Sequence, residues 1–397
     1  MAFLLTPATG SGFIGRKELV SELVTELSSE NKIGFSLSGT RRIGKTSILL
    51  EVERQLKAKH GIPVVYLSAW RVSPETVDQF VRVLNHATVS AFEDSLPAKF
   101  KFEELLTAGA GAFRRLVQNL KLSAGVGKDL EVSVSYVRGE GENVGDALSR
   151  SLSLVEDIAK MVGKRCVLML DEFPSLIDLT YGSKNQKIGE SIIKLARTLY
   201  EEFEFTKLVI SGSYRGTLEN VVMKQRAPFY RQLLLREVNP FDDSEYTAFL
   251  RHYLPGVKFA DDSREQLYRM TSGIPYSLQL LARQMDFKKV GELDTKQLAQ
   301  ITRELLRSEG ELLFKEYVDG ISPSETKVLR ALAKLPNARP NKIASEEFMD
   351  ARTVASSLTL LQRKGLVQKE GRASYQFSDN LFAEWLRMSD VESKFHT

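Results

Sequence analysis

Hydrophobic and polar positions divide this chain in two. Up to about residue 240, short unbroken apolar runs alternate with longer stretches in which apolar residues recur every three or four positions. The runs Ile33 to Ser38, Val64 to Leu67, Cys166 to Leu170, Lys207 to Ser211 and Leu233 to Val238 have the length of buried strands. Between them lie amphipathic stretches, with Leu19, Leu23 and Leu27 before the first run, then Lys45 to Lys59, Pro74 to about Phe92, and Asp146 to Met161. Strand, helix, strand in this order builds a parallel sheet with right-handed crossovers. Leu96 to Gly145 is the least regular part and reads as an insertion, with a helical piece around Phe113 to Leu120. Alternation over Leu130 to Val137 there predicts a half-exposed strand in a hairpin with Leu120 to Val126.

Beyond Asp242 the strands stop. Asp243 to Tyr253, Ser263 to Thr271, Pro275 to Met285 and Thr295 to Tyr317 carry helical spacing and predict a helical lid. Ile321-Ser322-Pro323 marks a further boundary. After it come helices at Ser324 to Lys334, about Asn341 to Glu347, and Asp350 as cap to Lys364, then two short strands at Gly365 to Lys369 and Tyr375 to Phe377. Three helices followed by a two-stranded wing make a winged helix-turn-helix. Its third helix is expected to bury Val354, Leu358 and Leu361 and to turn Arg352, Thr353, Ser356 and Ser357 toward a groove. A last amphipathic segment, Ser378 to Arg387, is expected to pack Phe382, Trp385 and Leu386 on the wing or lid. The expected organisation is a sheet core over 1–241 with the insertion at about 96–145, a lid over 242–320 and the winged helix over 321–397.

Composition changes this picture little. A length of 397 residues exceeds one ordinary domain, and 43% hydrophobic with 27% charged residues is the balance of a chain with a sizeable core. The net charge of +4 permits nucleic-acid binding without arguing for it. The tail from Ile321 holds 12 Lys/Arg against 9 Asp/Glu, modest for DNA, so docking of a protein partner competes with DNA contact. The single cysteine, Cys166, falls inside a strand and excludes a disulfide framework. The four histidines are scattered, which argues against a structural metal. No apolar run reaches the roughly 20 residues that span a bilayer, and the opening lacks a basic leader region. A cytoplasmic protein with no membrane contact is the expectation.

The chemistry lies at the strand ends. Gly39-Thr40-Arg41-Arg42-Ile43-Gly44-Lys45-Thr46 fits G-x-x-x-x-G-K-[ST] between a strand and a helix. Glycines let consecutive backbone N–H groups turn around a phosphate, and the helix N-terminus adds partial positive charge. Lys45 is expected on the β- and γ-phosphates and the Thr46 hydroxyl on Mg²⁺. The strand ending in Asp171-Glu172 supplies the second requirement of a nucleotide hydrolase, Asp171 holding Mg²⁺ through water and Glu172 deprotonating the attacking water. Ser211 or Ser213 could reach the γ-phosphate or that water from a neighbouring strand. Arg226 and Arg231 are candidates for an arginine finger on a neighbouring subunit of a homo-oligomer. For the doubled Arg41-Arg42 the sequence leaves solvent, a partner's acidic surface and a neighbouring subunit all open.

With FIGRKEL, GTRRIGKTS, LMLDEF, ISGS, GIPYSLQLL and YQFSDNLFAEWLR in order, nearly the whole chain resembles the archaeal ATPases within the wider AAA-like and STAND nucleotide-switch group. The resemblance implies an α/β P-loop NTPase fold, ATP or ADP as ligand, and a nucleotide site extending through Ser47. It implies Gly15 and Arg16 near the adenine, Ser213 as a sensor, and Gly273 and Pro275 as a Gly-x-Pro element. Pro228-Phe229-Tyr230-Arg231 lacks the glycine of the family's Pro-Leu-Tyr-Gly-Arg pattern, and no arginine opens the helix after Gly273, which points to a switch rather than a processive motor. The function expected is a slowly hydrolysing ATP switch whose winged helix contacts DNA or a partner. Its rivals are a DNA-binding regulator that uses ATP to oligomerise and a protein-docking module of a defence system.

Overall fold

The computed structural model describes residues 6–73, 75–95, 144–181, 186–213, 229, 231–371 and 374–390. The hairpin and helical piece expected between residues 96 and 143, and Arg226, lie outside them. Five parallel strands form the central sheet: β1 (Gly34–Ser38), β2 (Val64–Ser68), β3 (Cys166–Asp171), β6 (Thr206–Gly212) and β7 (Leu233–Glu237). Two-residue ladders elsewhere supply β4 (Thr180–Tyr181) with β5 (Gln186–Lys187), and β8 (Lys258–Phe259) with β9 (Glu292–Leu293). The sheet order is β2-β3-β6-β1-β7. One strand, β6, therefore separates the phosphate-loop strand from the strand that ends in Asp171.

Side chains of period two split each strand between two cores. In β3, Val167 and Met169 join Phe35 and Leu37 of β1 under α1 (Lys17–Ser28) and α2 (Lys45–His60). Leu168 and Leu170 face the other way, into the layer of α3 (Val77–Ala91), α4 (Val144–Val162) and α5 (Gly189–Glu202). The sheet is thus covered on both faces, as parallel sheets require. Helix α5 was not anticipated from the sequence, although Ile192, Ile193, Ala196 and Tyr200 supply a buried stripe at helical spacing.

The helices after β7 begin on strong local signals. Asp242 with Glu245, Asp294 with Gln297 and Ser322 with Glu325 each close a capping box at the starts of α6 (Asp243–Tyr253), α9 (Thr295–Val318) and α10 (Pro323–Lys334). Between the first two lie α7 (Ser263–Thr271) and α8 (Pro275–Phe287), the latter opening on a proline that forfeits no hydrogen bond there. After α10 come α11 (Pro340–Glu346), α12 (Ala351–Arg363), an antiparallel wing of β10 (Val367–Glu370) and β11 (Ser374–Phe377), and α13 (Asn380–Asp390). All of these elements share one continuous apolar core that runs from Phe241 to Leu386. At its centre Phe382 packs on Phe314, Tyr317, Phe377 and Trp385. No helix among the described residues is long and apolar enough to cross a membrane.

Trp385 reaches α9 over Gly310, where an added Cβ would clash with Cδ1 and stand 2.7 Å from Nε1 of the indole. Alanine in a helix interior normally gains about 0.5–1 kcal/mol over glycine, whereas overpacking costs about 1–3 kcal/mol. Gly310→Ala is therefore expected to lower the thermal unfolding midpoint. A variant as stable as the parent would show that the indole has room to retreat.

Candidate active site

The phosphate loop is shaped by where its backbone has to pass. A Cβ on Gly39 would stand 2.6 Å from the Val238 carbonyl, so the turn out of β1 admits only glycine. Gly44 has φ +101°, which points consecutive amides into the loop before α2 begins at Lys45. Lys45 is 4% exposed, and its Nζ donates to the carbonyls of Gly39 and Thr40, each at 3.0 Å. Burial pushes this ammonium below its ordinary value, while Glu172 and Asp171 pull it back up.

The two carboxylates at the end of β3 are held by different hydroxyls. Asp171 Oδ2 accepts from Thr46 Oγ1 at 2.7 Å and from the Tyr66 hydroxyl at 2.9 Å, and Oδ1 accepts from Ser211. Glu172 sits in the left-handed region at φ 52°, which swings its side chain away from that of Asp171. Its Oε2 accepts from Ser213 N at 3.1 Å and Ser213 Oγ at 2.9 Å. Its Oε1 has no hydrogen-bond partner among the described residues. Both serines come from the C-terminal end of β6, which the strand order places beside β3 and β1. Tyr66 escaped the sequence reading. A phenol in an apolar run is ordinary strand composition, and only the β2–β3 pairing, with Ser68 opposite Asp171, brings it to the carboxylate. Burial, with Asp171 beside it, pushes the phenol up and keeps it a donor.

A cavity of about 300 Å³ opens over this group, within the range of small-molecule sites. Lys45, Thr46 and Glu172 form its floor, Arg41 of the loop and Tyr276 and Glu316 of the lid border it, and Trp70, 60% exposed, stands at its margin. The chain's first described residues, Thr6 to Ala8, supply another wall. They are tied down by Ala8 N donating to Ser47 Oγ at 3.0 Å and Gly10 N donating to Glu51 at 2.9 Å. Although burial acts against it, Glu51 is held down at about 2 by Arg54, Gly10 and Gln55. A narrower cavity of about 50 Å³ adjoins, lined by Phe13, Ile14, Ile43, Phe241, Phe249 and Tyr253.

Arg16 borders the narrow cavity. It pairs with Glu245, 3.0 Å away, and lies over the Phe241 ring, while a Cβ on the neighbouring Gly15 would stand 3.0 Å from each of the same two side chains. Pro275 borders both cavities. Gly273 packs under Tyr268 and accepts a hydrogen bond from Phe241 N, so its contribution is the turn itself. Arg231 is placed elsewhere. It precedes Leu233, which pairs with Gly34 at the start of β1, at the end of the sheet opposite the phosphate loop and roughly 15 Å away along a five-residue strand. It is not a catalytic group of its own chain's site. On α12, Arg352, Thr353 and Ser356 are exposed, but Ser357 is 4% exposed and does not face a groove. It lies three residues after Val354 and four before Leu361, on the buried stripe.

The doubled arginine acquires partners the sequence could not supply. Arg41 Nη1 pairs with Glu316 at 2.9 Å, and Arg42 Nη2 donates to the Leu313 carbonyl at 2.6 Å, both on α9. The Arg42 guanidinium lies over the rings of Tyr276, Tyr317 and Phe314, at 4.8, 5.1 and 5.9 Å from their centroids. Asp379, which caps α13 through the Leu381 and Phe382 amides, is fully buried, and burial pushes its carboxyl up to about 6 even though Arg42 pulls it down.

A phosphate loop beneath a lid, with an Asp-Glu pair on the strand next but one, defines an ATPase of the P-loop class. Residues 13–281 match the family described as the ATPase domain predominantly from Archaea, and the chain belongs to that family. Among solved structures it is similar to the Walker-type ATPase PABY2304 of Pyrococcus abyssi, with 20% identity, 98% of this chain and 100% of that chain covered, and a TM-score of 0.67. It is also similar to the ORC2 protein of Aeropyrum pernix in its ADPNP-ADP complexes, with 13% identity, 97% and 98% covered, and a TM-score of 0.54. No curated protein sequence matches it.

Asp379 gives a pH test with a fixed sign. Its carboxyl keeps a proton up to about pH 6 in the folded chain and releases it near 3.8 when unfolded. Folding is therefore weakened as pH rises through that interval, by about 3 kcal/mol. Asp379→Asn keeps an amide-accepting oxygen and removes the titration. Relative to the parent, its urea midpoint is expected to rise between pH 4 and 7, and a pH-independent difference would contradict a buried proton at this position.

Proposed function

We propose that the protein is an ATP-driven switch, which hydrolyses ATP slowly and passes the state of its phosphate loop to the lid and C-terminal elements. The observation that carries this reading is the pair of contacts from Arg41 and Arg42 to a single lid helix, α9. The loop that would carry the phosphates is the same loop that holds the lid. The ADPNP-ADP complexes of the Aeropyrum pernix ORC2 protein support a nucleotide in a fold of this kind.

In this reading the triphosphate lies along Gly39 to Thr46, with Lys45 leaving the Gly39 and Thr40 carbonyls for the β- and γ-phosphates. Thr46 Oγ1 and Asp171 Oδ2, both hard oxygen donors and 2.7 Å apart, suit Mg²⁺, which when bound would offset the charge on the phosphates. Glu172 takes a proton from water through Oε1 while Ser213 fixes Oε2, and the water oxygen attacks the γ-phosphorus in line. The P–O bond to the β-phosphate breaks, and ADP and inorganic phosphate leave. Gly15 and Arg16 flank the base.

The output surface is α12, with Arg352, Thr353 and Ser356 available to duplex DNA. A specific observation favours a second reading. Phe348, in the turn before α12, is 97% exposed and Leu360 on the helix is 42% exposed, and such apolar groups suit a protein partner better than a phosphate backbone.

Glu172→Gln is expected to keep ATP affinity within about twofold and to lower turnover about 10²-fold or more. Lys45→Ala is expected to abolish tight ATP binding, read by calorimetry. Parental turnover in Glu172→Gln would overturn the base assignment. Measuring ATPase rate and particle mass with and without duplex DNA separates the two outputs. No response to DNA, with Phe348→Ser weakening a captured protein complex, selects the protein reading.

A further inference from the structure

The two cavities meet at a side chain that hydrolysis does not use. Gln279, in the second turn of α8, is 7% exposed, and its Oε1 is buried without a hydrogen-bond partner among the described residues. An unpaired buried acceptor costs about 1–3 kcal/mol unless something supplies a donor. Gln279 borders both the cavity over the phosphate loop and the narrow one beside Ile14, Phe249 and Tyr253. The part of a nucleotide that joins phosphates to base is the sugar. The other residues common to both cavities are Ala8, Gly44, Ser47 and Pro275. Only Ser47 among them has a polar side chain, and its oxygen already accepts from Ala8 N.

We infer that Gln279 is the residue that reads the sugar, its Oε1 accepting a hydrogen bond from a ribose hydroxyl, so that the protein prefers ribonucleoside to deoxyribonucleoside triphosphates. This rests on the proposed placement of ATP along the phosphate loop. The other donor that ATP carries, the exocyclic amine of adenine, lies at the end of the molecule away from the phosphates, whereas Gln279 reaches the phosphate cavity as well. A site built to accept a hydroxyl proton rejects an analogue lacking it because its own buried acceptor is then left alone.

The test is calorimetric titration of the full chain with ATP, 2′-deoxyATP, 3′-deoxyATP and purine riboside triphosphate, for the parent and for Gln279→Met. The parent is expected to bind ATP about tenfold more tightly than one of the two deoxy analogues, the contribution of one buried hydrogen bond. Gln279→Met is expected to bind ATP about tenfold more weakly and to lose that preference. Equal binding of ATP and both deoxy analogues by the parent overturns the sugar assignment while ATP binding stands. Failure of the parent to bind ATP at all overturns the underlying reading instead. A preference that persists in Gln279→Met, or one shown only against purine riboside triphosphate, removes Gln279 from the sugar.

Discussion

The arrangement of this protein depends on where the cation of Arg42 is placed. The phosphate loop must pass through a left-handed residue at position 42, with φ 63°, and that turn throws the side chain out of the loop and into the lid. There it meets a carbonyl of α9 and three aromatic rings. A guanidinium tolerates such a place better than an ammonium because it is weakly hydrated and stacks on ring faces, each contact contributing about 0.5–2 kcal/mol. Arg41, one residue earlier, faces the cavity and still reaches the same helix. The loop and α9 consequently constrain one another: displacing the helix exposes a half-buried cation's partners, and displacing the loop withdraws the cation.

A second constraint follows from the strand order. With β6 lying between β1 and β3, the carboxylates of Asp171 and Glu172 do not depend on the phosphate loop alone for orientation. Ser211 lies in β6 and Ser213 directly after it, with Gly212 between them, and their hydroxyls go to different carboxylates. Tyr66 arrives from the other neighbour, β2. Donors from strands on either side fix the acids before any substrate enters, which is the form of preorganisation that lowers the reorganisation needed at reaction.

How much of this was legible in the sequence depends on the distance over which each feature acts. The phosphate loop spells its chemistry in eight consecutive residues, and α6 and α9 of the lid announce their starts with capping pairs three residues apart, so these were readable. The strand ends at Asp171 and Gly212 were readable as ends, and their pairing was not, because a strand's neighbours are chosen by the whole sheet. Arg41 and Arg42 find partners more than 270 residues on, at a helix whose face toward them carries no distinctive pattern. Ser357 was assigned by its polarity when its spacing from Val354 and Leu361 had already placed it inside. Gln279 was obscured by its setting in SLQLLA, where α8 is buried on nearly every side and a polar residue reads as an exception rather than a signal.

The contact of Trp385 with Gly310 has a consequence for how such a protein can diversify. The tryptophan ring lies against backbone, and Phe382 beside it completes a cluster whose other half is on α9. The C-terminal elements are therefore not a cassette that can be cut at Ile321 and exchanged for another. A tail transplanted without α9 would present bare rings to water, and α9 in turn is held by the phosphate loop. Recombination between relatives that keeps a packed protein has to leave the core from Phe241 to Leu386 whole, so the lid and the C-terminal elements are inherited as one piece.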